Sequence, residues 1–390
     1  MPCLNEHETI GTCVSKAKAA LEKHGIHGEV LIADNGSDDG SSEVARAAGA
    51  RVIHVPDKGY GAALRAGIDA AHSDFIIMGD ADDSYDWTKI DAFFHKLREG
   101  FDLVMGCRFP RGGGQIEPGA MPFLHRWIGN PFLSFVSRLF FHSSITDINC
   151  GMRAFSKRKI EHIGLVTTGM EFASEMIIKS ELSSLRITEI PITLHRDGRS
   201  RRPHLRTLHD GWRNLRFMLL HSPKWLFLVP GSAALAVGIM GLATLLIPPG
   251  AILGASFGPK GLIICSFLVI TGFQWISFGL SARIFGITHG LLPPDRTLAS
   301  LFDRITLETG CSIGVILMLI GFVLFLFSDS IPFGATRTIV EQHEGLPFRV
   351  ILPAATLITL GAQVVFTSFF FSMLGLQYTR SPKDRSSGHE

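Results

Sequence analysis

No two of the six cysteines, Cys3, Cys13, Cys107, Cys150, Cys265 and Cys311, stand at CxxC spacing or pair with histidines at metal-ligand spacing. That absence excludes a disulfide framework and a thiolate metal centre as organising devices, and the scatter fits a reduced compartment. Net charge is also nearly missing. Thirty-seven Lys and Arg stand against 35 Asp and Glu, leaving +2, so the composition gives no sign of a nucleic-acid partner. No basic region followed by an apolar run opens the chain: Met1-Pro2 leads directly to Asn5-Glu6-His7-Glu8, so no cleavable leader is expected. The first strand that an α/β domain needs is missing as well, since no apolar residues precede Pro2. The sequence therefore reads either as starting too far downstream or as lacking a central strand and folding poorly.

What is abundant is apolar residue, and it is unevenly spread. A mean hydropathy of +0.27 over 390 residues is too high for two soluble domains. Up to about Leu220 charged and apolar residues mix as in a globular domain, whereas from Trp225 onward long apolar stretches alternate with short polar loops. Four candidate spans follow, at 226–247, 262–284, 313–327 and 350–374. The chain divides accordingly into a domain at 1–204, an amphipathic juxtamembrane helix at 205–224, four transmembrane helices within 225–376 and a tail at 377–390.

Charge is clustered although the total is small. Arg196, Arg199, Arg201, Arg202, Arg206, Arg213, Arg216 and Lys224 crowd before the first span, opposed only by Asp197 and Asp210, and the tail from Arg380 to Arg385 is basic too. Positive charge favours the cytoplasmic side, and an even number of spans returns both ends to it. Leu205, Leu208, Trp212, Leu215 and Leu219 recur at helical spacing among those arginines, the pattern of a helix lying in the membrane interface.

In the first half, apolar runs of strand length alternate with helical patterns. Helices are expected at 9–24, 41–48, 62–71 and 87–98, and strands at 29–33, 52–55, 75–78 and 103–105. Such alternation implies a mostly parallel sheet covered by helices, with ligands bound beyond the carboxyl ends of the strands. Asp34 and Asp80 both fall at that edge. Asp80-Ala81-Asp82 sets two carboxylates on one side of an extended chain, which suits a hard divalent ion bridging protein to a diphosphate. On its own the triplet is a weak signal, and Asp86 is as readily a helix cap before Trp87. Gly59-Tyr60-Gly61 lacks the adjoining strand and third glycine of a dinucleotide fingerprint. His125, His195, His204 and His209 have no ligand spacing.

The order of motifs is more specific than any one of them. Pro2-Cys3-Leu4-Asn5-Glu6, the loop Asp34 to Gly40, Lys58-Gly59-Tyr60-Gly61 and then the acidic triplet together resemble the family 2 glycosyltransferases of the GT-A fold, over roughly the first half of the chain. Gly106-Cys107-Arg108, the run Asp147 to Phe155, Glu171 to Glu175 and Gly198-Arg199-Ser200-Arg201 resemble the dolichol-phosphate mannosyltransferase or polyprenyl-phosphate glycosyltransferase branch. That resemblance implies an α/β GT-A domain followed by a helical membrane domain, and inverting transfer of a sugar from a nucleotide sugar to a polyprenyl phosphate. It implies that Pro2, Asn5, Glu6, Asp34, Lys58 and Asp80 bind the nucleotide sugar and that Asp80 and Asp82 hold Mg2+ or Mn2+. Arg108 and Arg153 join the two aspartates as catalytic residues, and Arg108, Arg126, Asn130, Arg199, Ser200 and Arg201 take the acceptor phosphate. Asp83-Ser84-Tyr85-Asp86 departs from the branch's Leu-Gln-x-Pro, so a third metal contact falls to Ser84 or water. A homo-oligomer stays open. Two alternatives stand beside this reading. A processive synthase of the same fold would carry Gln-x-x-Arg-Trp, but Phe123 stands where Arg126-Trp127 would need the Gln. A lipid or sugar carrier with a sensor domain would need intramembrane charges, and the spans hold few.

Overall fold

The structure, a computed structural model, describes residues 1–200, 207–243, 259–289, 292, 298, 306–328 and 346–378. The chain forms two compact units, Met1–Leu220 and His221–Glu390. The expectations placed on Arg201, Arg202, Leu205, Arg206 and the tail from Arg380 lie outside the described residues.

The first unit follows the alternation in the sequence. Its elements are β1 (Pro2–Cys3), α1 (Ile10–Lys23), β2 (Leu31–Asp34), α2 (Ser41–Ala47), β3 (Arg51–His54), α3 (Tyr60–Ala70), β4 (Phe75–Met78), α4 (Ile90–Arg98) and β5 (Leu103–Cys107), then β6 (Gln115–Ile116), α5 (Asn130–Phe141), β7 (Arg153–Ser156), α6 (Lys157–Ile163), α7 (Phe172–Leu182), β8 (Ile187–Pro191), β9 (Thr193–Leu194) and α8 (Thr207–Leu220). Strands β1, β2 and β3 pair in parallel, and a second sheet has the order β4-β7-β5-β8. In it β7 runs antiparallel to both β4 and β5, while β5 and β8 are parallel. The sheets are thus parallel apart from β7, whose opening Arg153 hides it from a search for apolar runs. Its other inward residues behave as a strand requires, Ala154 and Phe155 being fully buried.

The strand expected to be missing is short and present. Pro2 and Cys3 pair in register with Ala33 and Asp34, and the Met1 amino group donates to the Leu31 carbonyl at 2.8 Å. Between this edge and β4 lies a cavity of about 310 Å³ lined by Met1, Pro2, Leu31, Ala33, Ile77 and Met78 among others. The core is otherwise continuous, from Ile10 and Val14 of α1 through Ile32 and Leu103 to Phe172 and Ile177 of α7. All six cysteines are free, and five are buried. Burial pushes the Cys150 thiol up to about 12, so it stays protonated and unreactive.

The second unit contains α9 (Val229–Ala243), α10 (Pro259–Thr288), α11 (Leu307–Ser328) and α12 (Leu346–Tyr378). Four stretches are long and apolar enough to cross a membrane: Lys224–Ala243, Lys260–Thr288, Leu307–Ser328 and Val350–Leu374. The third is longer than its apolar run suggests. At 22 residues it spans roughly 33 Å at 1.5 Å per residue, enough for the hydrocarbon core. Its polar opening turn, with Glu308 where the helix dipole favours a carboxylate, supplies the extra length. Helices α11 and α12 touch through Gly314 and Gly361, where a Cβ on Gly314 would come within 2.7 Å of the Gly361 carbonyl oxygen. Gln363 donates to Gln274 across the bundle at 3.1 Å, a polar tie between spans.

Candidate active site

Asp80 and Asp82 follow the carboxyl end of β4, as Asp34 closes β2, so the strand edges bring these carboxylates to one face. Asp80 accepts from the Tyr60 hydroxyl at 2.9 Å. Beside it, Gly151 donates its N–H to the Tyr85 hydroxyl at 2.9 Å, and a Cβ there would stand 2.7 Å from Asp80 Oδ2, so only glycine leaves this carboxylate its room. Burial raises the Asp80 carboxyl from 3.8 to about 6, with repulsion from Asp82 adding to it, while Tyr60, Arg199 and Arg108 oppose the shift. Asp82 is fixed differently. Ser84 donates to its Oδ1 from both N–H (3.1 Å) and hydroxyl (2.6 Å).

The other oxygen of Asp82 carries a cation. Arg199 donates from Nη2 to Asp82 Oδ2 at 2.6 Å, from Nη1 to Glu6 Oε1 at 3.0 Å and from Nε to Asp197 at 3.2 Å. Burial works against the Arg199 charge, but Asp82, Glu6 and Asp197 outweigh it and raise its pKa. Neighbouring bonds strap the same segment down. Gly198 donates to the Asp82 carbonyl at 2.9 Å, and Ser200 donates to Glu8 from N–H (2.7 Å) and hydroxyl (2.6 Å).

Arg108, at the end of β5, meets Asp147 side-on: Nε to Oδ2 at 2.7 Å and Nη2 to Oδ1 at 2.8 Å, with the Arg108 N–H adding 3.1 Å. Burial opposes the Arg108 charge and Asp147 prevails, raising its pKa well above the usual value. Glu189 holds the Asp147 loop by accepting from the Thr146 and Asp147 N–H groups at 2.8 and 2.9 Å. Arg153 is wholly buried, and its guanidinium donates to the carbonyls of Cys150, Ala173 and Ile148 at 2.8, 2.6 and 3.0 Å. In this state it clamps the loop that carries Asp147 and Gly151.

On the β1 to β3 side, Asn5 accepts from the Asp38 N–H at 2.9 Å and Asp34 from the Ser37 N–H at 3.1 Å. Lys58 donates to the Asn35 carbonyl at 2.9 Å. Pro2 sits within β1. Asn130 accepts from Asn149 at 2.9 Å. The Arg126 guanidinium lies over the Trp127 ring, 5.5 Å from its centre. Local bonds thus join Glu6, Asp82 and Arg199 in one cluster, and Asp147 with Arg108 in another, while Arg126 faces an aromatic ring. Asp83 turns away and pairs with Lys16 at 2.7 Å. Asp86 accepts from the Thr88 N–H at 3.1 Å, the capping bond its position suggests.

Four contributors, Tyr60, Tyr85, Asp147 and Glu189, were given no role in the sequence reading, although Asp147 opens the run that resembles the polyprenyl-phosphate branch. The two tyrosines carried a signal of another kind. The chain has only three tyrosines, and two flank the acidic triplet.

With this geometry in view, the comparisons with known proteins decide the family. Residues 1–164 match the glycosyl transferase family 2 model, and residues 280–375 match the family 2 C-terminal transmembrane region. The low-salt glycan biosynthesis hexosyltransferase Agl6 of Haloferax volcanii is 37% identical over 380 residues, which cover 96% of this chain and 88% of that one. The chain belongs to glycosyl transferase family 2. It is a membrane-associated glycosyltransferase with a GT-A domain and a C-terminal transmembrane region. A dolichyl-phosphate hexose transferase of the same organism is 30% identical over 192 residues, 49% of this chain and 79% of that one. Among solved structures, glucosyl-3-phosphoglycerate synthase from Mycobacterium tuberculosis overlays at a TM-score of 0.46 with 20% identity, across 56% of this chain and 76% of that one.

Proposed function

We propose that this family 2 enzyme transfers one sugar from a nucleotide sugar to a polyprenyl phosphate at the cytoplasmic membrane face, with inversion. One observation carries the acceptor assignment. Arg199, from the segment that leads to α8 and the first span, reaches Asp82 and Glu6 in the catalytic cluster. The short separation in sequence, 25 residues from Arg199 to Lys224 at the head of the first apolar stretch, favours an acceptor whose reacting group sits at the membrane surface.

The acidic pair fits a divalent cation. Asp82 is buried and Asp80 half-buried, the two carboxylates repel each other, and the Arg199 guanidinium already supplies positive charge at Asp82. Among the described residues no group of three His, Cys, Asp or Glu side chains forms a closed metal cage. Asp80 and Asp82 would be the residues that hold Mg2+ or Mn2+. The ion's contribution is to stabilise negative charge on the departing diphosphate.

The chain's own residues do the rest. Pro2, Asn5, Glu6, Asp34 and Lys58 line the nucleotide side. Arg108, kept charged and aimed by Asp147, offers a fixed cation to a phosphate, with Arg126, Asn130, Arg199 and Ser200 on the acceptor side. Arg153 supports this catalytic loop. An acceptor phosphate oxygen attacks the anomeric carbon opposite the leaving group, forming the C1–O–P bond of the product as the C1–O bond to the diphosphate breaks. The nucleoside diphosphate leaves with that electron pair. A phosphate oxygen is already anionic at neutral pH, so no side chain has to remove a proton.

Incubating membranes that contain the protein with a panel of labelled nucleotide sugars tests the reading. Label should enter the organic phase with one donor and depend on divalent cation. Binding of a nucleotide sugar without release of nucleotide would favour a carrier instead.

A further inference from the structure

The stretch that leads into α7 lies against the start of α3. The Thr168 carbonyl accepts from the Ala62 N–H at 3.2 Å, and the Val166 carbonyl accepts from Arg65 at 3.2 Å. Two glycines permit that approach: Gly59 has φ +135°, and a Cβ on Gly61 would stand 2.6 Å from the Thr167 carbonyl oxygen. Between them Tyr60 opens α3 and donates to Asp80 at 2.9 Å. The place of that hydroxyl, and of the carboxylate it holds, therefore depends on where the backbone of residues 166–168 sits.

This backbone is tied down twice. The buried Glu175 accepts from the Val166 N–H at 3.0 Å and from the Thr167 N–H and hydroxyl at 2.8 and 2.5 Å. Lys179 pairs with Glu175 at 2.7 Å and donates to the Gly164 carbonyl at 2.5 Å, so the first tie is made within α7 and its approach. The second comes from α8. Arg213 donates to Glu171 Oε1 at 2.7 Å beside Gly169, where a Cβ would collide with both side chains. The other Glu171 oxygen is buried and has no hydrogen-bond partner among the described residues. Arg213 alone thus compensates this carboxylate, and its removal leaves a charge that must shift toward water. Glu171 stands three residues from Thr168, so such a shift pulls on the segment that seats Tyr60.

We propose that Arg213 and Glu171 are positioning residues for the acidic site, setting through residues 166–169 where Tyr60 holds Asp80. The consequence for catalysis rests on the reading of Asp80 as a metal carboxylate, because a group that orients a ligand through another side chain alters metal affinity without touching the ion. An ion pair that only fastened α8 to the domain would stabilise the fold and leave Tyr60 where it is.

The full chain holds three tyrosines, Tyr60, Tyr85 and Tyr378, so fluorotyrosine labelling gives three fluorine resonances, each assigned from its Tyr→Phe variant. In detergent without metal, Arg213→Met should shift the Tyr60 resonance and leave that of Tyr85, which accepts from the Gly151 N–H, in place. Glu171→Ala should do the same. It leaves no buried charge, since the Arg213 side chain is 33% exposed, and so keeps the test open if Arg213→Met does not fold. In unlabelled protein, calorimetry should show Mn2+ affinity falling several-fold in Glu171→Ala and in Tyr60→Phe, and no further in the double variant, because both act through one contact. An unmoved Tyr60 resonance in a folded variant would overturn the proposal. So would equal displacement of Tyr85, or losses of affinity that add. Absence of Mn2+ binding to wild type would count against the metal reading, and the Tyr60 resonance would still decide whether Arg213 and Glu171 reach that side chain.

Discussion

Replacing Asp80 by Asn should make the metal-free protein more stable while abolishing transfer. Burial and the neighbouring Asp82 charge raise the Asp80 carboxyl from 3.8 to about 6. A carboxyl whose pKa is higher folded than unfolded costs stability once ionised. The cost is absent below the unfolded pKa, grows as pH rises from 3.8 to about 6 and is complete above that. At about 1.4 kcal/mol per pKa unit the penalty is on the order of 3 kcal/mol at neutral pH. Asn keeps an oxygen for the Tyr60 hydroxyl, so the neutral side chain removes the repulsion without orphaning its partner. The assay is unfolding of detergent-solubilised protein in excess chelator, at pH 7.5 and at pH 5. The variant should exceed wild type by a few degrees at pH 7.5, and the gap should narrow at pH 5, where wild-type Asp80 takes up its proton. A variant no more stable than wild type at pH 7.5 would refute the claim that this pair stores repulsion for a cation to relieve.

Arg199→Gln should bind Mn2+ several-fold more tightly than wild type in calorimetry without lipid, because it removes the cation seated on Asp82, and should raise the requirement for polyprenyl phosphate; unchanged Mn2+ affinity would contradict the first point. Asp147→Asn leaves a buried guanidinium with a neutral partner and should cost about 3–5 kcal/mol in stability, together with most transfer. Arg108→Met with Asp147→Leu should recover stability in the same unfolding assay but not activity, separating the fold from the chemistry. Asp83→Asn should retain transfer and lose at most about 1 kcal/mol, since its bond to Lys16 is partly exposed. Loss of transfer there would place the metal register one residue off.

The elements of the first unit were readable because its parallel strands are short apolar runs between amphipathic helices. Helix α1, β4 and the start of α2 fall where periodicity puts them. Strand β7 was not readable, because it begins with a buried arginine satisfied by carbonyls from Ile148, Cys150 and Ala173, and no local pattern announces such partners. The length of α11 escaped for a related reason: its first turn is polar, and hydropathy registers only the apolar remainder. The site divides similarly. Crowded carboxylates in one short loop advertise themselves, whereas the pairing of Arg199 with Asp82 spans 117 residues and that of Arg108 with Asp147 spans 39. Such pairings belong to the tertiary structure, and a run of arginines near the membrane does not say which of them turns inward.

The central claim is that a phosphate on a membrane lipid is the sugar acceptor. The most direct measurement offers the purified enzyme its labelled nucleotide sugar with Mn2+ and compares a polyprenyl phosphate with the matching polyprenol in otherwise identical micelles. The account predicts labelled lipid and stoichiometric nucleoside diphosphate with the phosphate, and neither with the alcohol. Equal transfer to the alcohol would contradict it.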